Sequence, residues 1–149
     1  AASDVYKRQP TLDPERNIAL YKALTNAMEN RMIRSAHDCS DGGLSVSLAE
    51  SCFGFSGGAD IDVTEILLED DELDEWGALF GESLGRIIVS VSPECVMEFE
   101  KRMKGHAVYK LGKTTSGREV KISAHGKTVL KCDVDSLKAA WKGTLDRRA

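Results

Sequence analysis

The sequence predicts an α+β fold: a mixed β-sheet packed with helices. Three observations lead there. Helical and strand-like segments follow the order helix, strand, helix, strand, helix, strand, helix, then mostly strands, then a last helix, neither alternating strictly nor separating completely. A glycine-containing acidic loop, Asp38-Cys39-Ser40-Asp41-Gly42-Gly43, stands between a strand-like run and a helix with apolar residues on more than one side. Near the C-terminus two apolar runs flank His125-Gly126, a hairpin signal.

The chain has 149 residues, enough for one domain with a real core. Hydrophobic residues at 42% and charged residues at 30% describe an ordinary globular protein, and no apolar run reaches the length of a membrane span. No signal peptide opens the chain, so a cytoplasmic location is expected. Cys39, Cys52, Cys95 and Cys132 show no C-x-x-C spacing and lie in periodic segments, which predicts buried reduced thiols. The net charge of -4 is uneven: residues 1–75 carry 6 basic and 16 acidic side chains, residues 76–149 carry 14 and 8. The basic half lacks interleaved aromatics, which argues against nucleic-acid binding.

Residues 1–11 are polar and unpatterned and read as a disordered or appended leader to a domain over residues 12–149. Asp13-Pro14 supplies an N-cap and a proline at the first helical position. Ile18, Tyr21, Leu24, Met28 and Met32 follow as a core stripe, predicting a helix from Pro14 to Met32. After the glycine loop, Leu44, Leu48 and Cys52 form one helical stripe and Val46, Ala49 and Phe53 a second. Ala59, Ile61 and Val63 alternate with polar residues as in a half-buried strand. The acidic run Glu65 to Glu75 reads as a solvated loop and helix start. Ile87 to Val91 predicts a buried strand, and Ser92-Pro93 opens a helix with Val96, Phe99 and Met103 inward, ended by Gly105. Ala107 to Leu111 reads as a strand. Val120–Ile122 and Leu130–Cys132 form the hairpin. Asp135 caps a last helix with Leu137, Ala140, Trp141 and Leu145 inward.

The chemistry lies in two stretches. In the first, Gly42 and Gly43 permit close approach of a ligand to the backbone, and the helix start offers free N–H groups to an anion. Ser40 and Asp41 with these glycines are candidate phosphate-binding residues, and the acidic loop suits a hard divalent cation. A tight turn with Ser40 or Asp41 as plain N-cap accounts for the same residues. In the second stretch, Leu79-Phe80-Gly81-Glu82-Ser83-Leu84-Gly85-Arg86, a Glu-Ser pair with an arginine at a strand mouth suits a hydroxyl-bearing, phosphorylated ligand. A Glu82–Arg86 ion pair closing a turn is the alternative.

Both stretches carry a resemblance. Ala36-His37-Asp38-Cys39-Ser40-Asp41-Gly42-Gly43-Leu44 resembles the C-terminal domain of the aminoimidazole-ribonucleotide-synthetase superfamily. The Leu79–Arg86 stretch resembles the Leu-Phe-x-Glu-Ser-x-x-Arg segment of its phosphoribosylformylglycinamidine synthase family, and Trp141-Lys142-Gly143-Thr144-Leu145 is similar to that family's ending. The likeness covers roughly residues 12 to 146. Thiamine-monophosphate kinase, another superfamily member, shares the Asp-x-Ser-Asp-Gly loop but not the ending. The resemblance implies an ATP-dependent ligase of purine biosynthesis that converts formylglycinamide ribonucleotide to its amidine, with ammonia from glutamine and magnesium on the phosphates. It assigns Asp38 to magnesium and Glu82, Ser83 and Arg86 to the ribonucleotide substrate. It further implies N-terminal nucleotide-binding domains of the same enzyme, a glutaminase subunit or domain as partner, and no catalytic residue within this segment. The isolated domain is then expected to be inactive. Because the family duplicates its two-domain unit and this segment resembles the second half of the second copy, a non-catalytic scaffold role stands beside the ligand-contacting one.

Overall fold

The computed structural model describes residues 13–69 and 73–146, with the side chains of 144–146 outside the description. The expected leader over 1–11, the acidic residues 70–72 and the packing of Leu145 therefore lie outside the described residues. The elements are α1 (Pro14–Glu29), β1 (Ile33–Asp38), α2 (Gly43–Phe53), β2 (Gly58–Asp62), α3 (Thr64–Glu69), α4 (Glu75–Phe80), β3 (Ile87–Val91), a 3-10 turn (Pro93–Cys95), α5 (Val96–Arg102), β4 (Gly112–Thr115), β5 (Glu119–Ala124), β6 (Lys127–Asp133) and α6 (Val134–Asp146). The class is α+β, as expected. The strands, however, divide over two sheets: an antiparallel ribbon of β1 and β3, and a four-stranded sheet in the order β4-β2-β5-β6. The chain likewise forms two compact units, one from residues 1–41 and 82–108, the other from 42–81 and 109–149.

In the first unit, Asp13 accepts the Arg16 amide at 3.0 Å and caps α1. The helix ends at Glu29 rather than Met32, because Asn30 and Arg31 form a turn with Arg31 at φ 56 that returns the chain into β1. The core is small: Ala27, Met32, Phe99 and Met103, with Leu20, Ala23, Ile33, Val89, Val91 and Cys95 packed against it. The inward face of α1 is thus Leu20, Ala23, Leu24 and Ala27. Ile18, Tyr21 and Met28, expected in the core, are exposed, since two apolar stripes compete on this helix and the one with smaller side chains packs. β3 is half-buried rather than buried, because α1 and α5 cover one face of a two-stranded ribbon.

The second unit is built on the mixed sheet. β2 runs parallel to β5 and antiparallel to β4, and β5 and β6 form the expected hairpin. His125 at φ 49 and Gly126 at φ 74 make its two-residue turn, the positive-φ pair that matches strand twist. Ala59, Ile61, Val63, Val120 and Ile122 are buried on one face, with Leu44, Leu48 and Cys52 of α2 also in the core. The strand expected over Ala107–Leu111 is absent from the described structure. Pairing starts at Gly112, which approaches the Asp60 carbonyl so closely that a Cβ would overlap it. α6 begins two residues earlier than expected: Asp133 accepts the Ser136 amide at 2.8 Å, while Asp135 is held by Arg118. Trp141 is 53% exposed although its ring lies 5.9 Å from that of Phe53, and Ala140 is exposed, so neither is the inward residue expected. Of the cysteines, Cys39 and Cys52 are buried, whereas Cys95 and Cys132 are only half-buried; all four are free thiols.

Candidate functional site

The β1–β3 ladder builds one end of the first unit. Asp38, the last residue of β1, faces Ile87, the first of β3. The next residue continues the pairing: the Cys39 amide donates to the Arg86 carbonyl at 2.9 Å. The turn holding Asp38, Ser40 and Asp41 and the turn holding Glu82, Ser83 and Arg86 therefore share one end of the ribbon, about forty residues apart in sequence. Antiparallel pairing makes this unavoidable, because the exit of one strand lies beside the entry of the other. Asp38, Ser40, Asp41, Glu82 and Ser83 are exposed and Arg86 is half-buried.

Local bonding shapes the Asp38 turn. The Ser40 hydroxyl donates to the Asp38 carboxylate. That bond, followed by backbone hydrogen bonding, holds the Asp38 carboxyl below its ordinary ionisation range against a small desolvation cost; the His37 ring adds a lesser attraction. His37 Nδ1 lies 2.7 Å from the Asp38 carbonyl oxygen and 3.8 Å from its carboxylate. Asp38 is thus an ionised carboxylate at neutral pH. Among the described residues no three His, Cys, Asp or Glu side chains gather into a metal cage. The donor set fits a magnesium ion that takes one protein carboxylate and finds its other ligands in phosphate and water, and does not fit an all-protein calcium site.

Gly42 and Gly43 belong to the second unit, and the protein itself uses both. Gly42, at φ 78, is the N-cap of α2 and makes no side-chain cap bond, which rules out Ser40 or Asp41 as the plain cap. A Cβ on Gly42 would overlap Val46. Gly43, at φ 64, is buried, and a Cβ there would lie 2.8 Å from the Gly81 carbonyl oxygen and 2.8 Å from the Phe80 carbonyl carbon. The start of α2 thus meets the carbonyl end of α4, opposite helix-end charges in close approach. In the same first turn the Ser45 hydroxyl is buried and finds no hydrogen-bond partner among the described residues. The sequence motif does not reveal that Leu79–Gly81 is the neighbour that demands glycine at 43.

The family called AIR synthase related protein, C-terminal domain, matches residues 3–125. The chain belongs to this family. Among curated relatives, the phosphoribosylformylglycinamidine synthase subunit PurL of Carboxydothermus hydrogenoformans is 38% identical over 144 residues, 95% of this chain and 19% of the relative. PurL of Lactobacillus helveticus is 41% identical over 124 residues, 83% of this chain and 15% of the relative. The chain therefore spans less than about a fifth of the length of these relatives. Among solved structures, Thermotoga maritima PurL complexed with FGAR superposes with a TM-score of 0.76 at 19% identity, covering 86% of this chain and 22% of that one. The same protein complexed with ATP gives 0.70 at 19% identity, covering 79% and 21%. These likenesses carry the AIR synthase C-terminal fold. No helix among the described residues is long and apolar enough to cross a membrane.

Proposed function

We propose that this chain is the C-terminal domain of the synthetase component of a phosphoribosylformylglycinamidine synthase, acting in the cytoplasm on a ribonucleotide amide with ATP and magnesium. The observation that carries the reading is the shared ribbon end. It puts an ionised carboxylate, Asp38, in the same unit and at the same edge as Glu82, Ser83 and Arg86. Asp38 would hold magnesium, Ser40 fixing its carboxylate; Glu82 and Ser83 would take ribonucleotide hydroxyls and Arg86 a phosphate. Ser40, Asp41, Gly42 and Gly43 are the candidate nucleotide contacts. Magnesium on the phosphates would supply charge neutralisation when an amide oxygen is activated for displacement by ammonia. N-terminal nucleotide-binding domains and a glutaminase would complete the enzyme. Consistent with this, solved structures include Thermotoga maritima PurL complexed with ATP and PurLQS of the same organism.

The packing of Gly42 and Gly43 favours a second reading, in which the glycine loop is a structural joint and this domain is a non-catalytic scaffold of the same assembly. Turnover separates the two. In a full-length synthetase carrying this domain, Glu82→Gln and Ser83→Ala should raise KM for the ribonucleotide with an unchanged thermal midpoint. Unchanged kinetics in both variants would leave only the scaffold.

A further inference from the structure

The second unit carries a cleft of about 480 Å³ on the open face of its sheet, lined by none of the candidate site residues named above. β2 buries Ala59 and Ile61 and so turns Asp60 and Asp62 outward; β5 buries Val120 and Ile122 and so turns Lys121 and Ser123 outward. Strand register aligns Lys113 of β4, Asp60 of β2 and Lys121 of β5 in one row. Lys110 completes the rim.

The charges do not cancel. Lys121 pairs with Asp60 at 3.4 Å. Asp62 accepts the Thr64 amide at 2.8 Å, so its carboxylate is tied to the start of α3. Lys110 and Lys113 are exposed and have no ion-pair partner among the described residues. Two ammonium groups thus face the cleft beside a hydroxyl and two carboxylates with spare acceptor capacity. An anion alone would satisfy the lysines and be repelled by Asp60 and Asp62. An acidic peptide side chain brings no donor for those carboxylates. A phosphate ester on a polyhydroxyl body brings both: oxygens for Lys110 and Lys113, and hydroxyl donors for Asp60 and Asp62. The cleft is shallow and open to solvent, so charge and hydroxyl contacts rather than enclosure would hold the ligand. We propose that this cleft binds a sugar phosphate, with Lys110 and Lys113 on the phosphate and Asp60, Asp62 and Ser123 on the sugar hydroxyls. The proposal does not depend on the function assigned to the Asp38 turn.

The test is an NMR titration of the 149-residue chain with ribose 5-phosphate, inorganic phosphate and ribose. Ribose 5-phosphate should shift the amides of Lys121 and Ser123 and bind more tightly than either fragment. The double variant K110A/K113A should weaken binding by about tenfold or more while leaving the spectrum otherwise folded, since both side chains are exposed. S123A should reduce the preference for the ester over inorganic phosphate. The proposal is overturned by equal affinity of the ester and inorganic phosphate, by unchanged affinity in K110A/K113A, or by absence of shifts at the cleft. Displacement of ribose 5-phosphate by a lower concentration of hexaglutamate would also overturn it, and would assign the face to an acidic protein.

Discussion

A carboxylate that accepts a hydroxyl proton gives up its own proton more readily than one in water. Asp38 is in that position through Ser40. Its folded-state ionisation lies below the unfolded value, so the Ser40 bond stabilises the fold above the ordinary carboxylate range. That contribution is lost as pH falls through the depressed folded value. Ser40→Ala should therefore move the Asp38 titration upward toward its ordinary value, read by carboxyl NMR; an unmoved titration would show that another group holds Asp38 ionised. The neighbouring glycine behaves differently. Gly43→Val forces a branched side chain into left-handed backbone against the Phe80 and Gly81 carbonyls. Overpacking and backbone strain together should cost roughly 2–5 kcal/mol. Asp38→Asn, at an exposed position, should leave the denaturation midpoint nearly unchanged. Equal losses in the two variants would make Asp38 a structural residue.

At the scale of elements, Arg118 joins three parts of the second unit. Arg118 donates to both carboxylate oxygens of Asp135 in α6, and also to the Phe55 carbonyl at 2.8 Å, just beyond α2. Lys138 adds a bond to the Phe53 carbonyl at 2.9 Å. Because the Arg118 fork makes three directed bonds, Arg118→Lys should lower the thermal midpoint nearly as much as Arg118→Ala. Full rescue by lysine would show that charge alone matters. Sequence patterns read these elements unevenly. The Asp13 cap, the α2 stripes and the His125–Gly126 hairpin were legible because each is local: a cap, a period and a turn. The α1 face was not, since Ile18, Tyr21 and Met28 repeat as well as Leu20, Leu24 and Ala27, and only α5 and the ribbon decide between the two sets. Asp133 and Asp135 both resemble caps; the distant Arg118 determines which is free to act as one. The candidate site follows the same rule. Its residue types were visible, but the pairing of Asp38 with Ile87 and the packing of Gly43 on Gly81 depend on contacts across about forty to fifty residues.

At the scale of the whole molecule, the two units differ in how much holds them. The first has a two-stranded ribbon and a core centred on Ala27, Met32, Phe99 and Met103. Phe99→Ala should cost about 3–5 kcal/mol there, a large part of what so small a core supplies. The second has four strands covered by helices. Amides of β1 and β3 should therefore exchange with solvent faster than those of β2 and β5, and an equal rate in both sets would mean that the chain opens as one cooperative body. The turns holding Asp38 and Glu82–Arg86 thus sit on the unit expected to open first, while Gly42 and Gly43 belong to the other. The most direct test of the ligand role is charge reversal, Asp38→Lys, in a full-length synthetase carrying this domain, with amidine formation and thermal midpoint measured together. A ligand role for Asp38 predicts that turnover falls by about a hundredfold or more, as when a group that aligns charge in the transition state is lost, while the midpoint stays within a few degrees of the parent. Unchanged turnover, or a loss no larger than the fraction of protein unfolded, would contradict it.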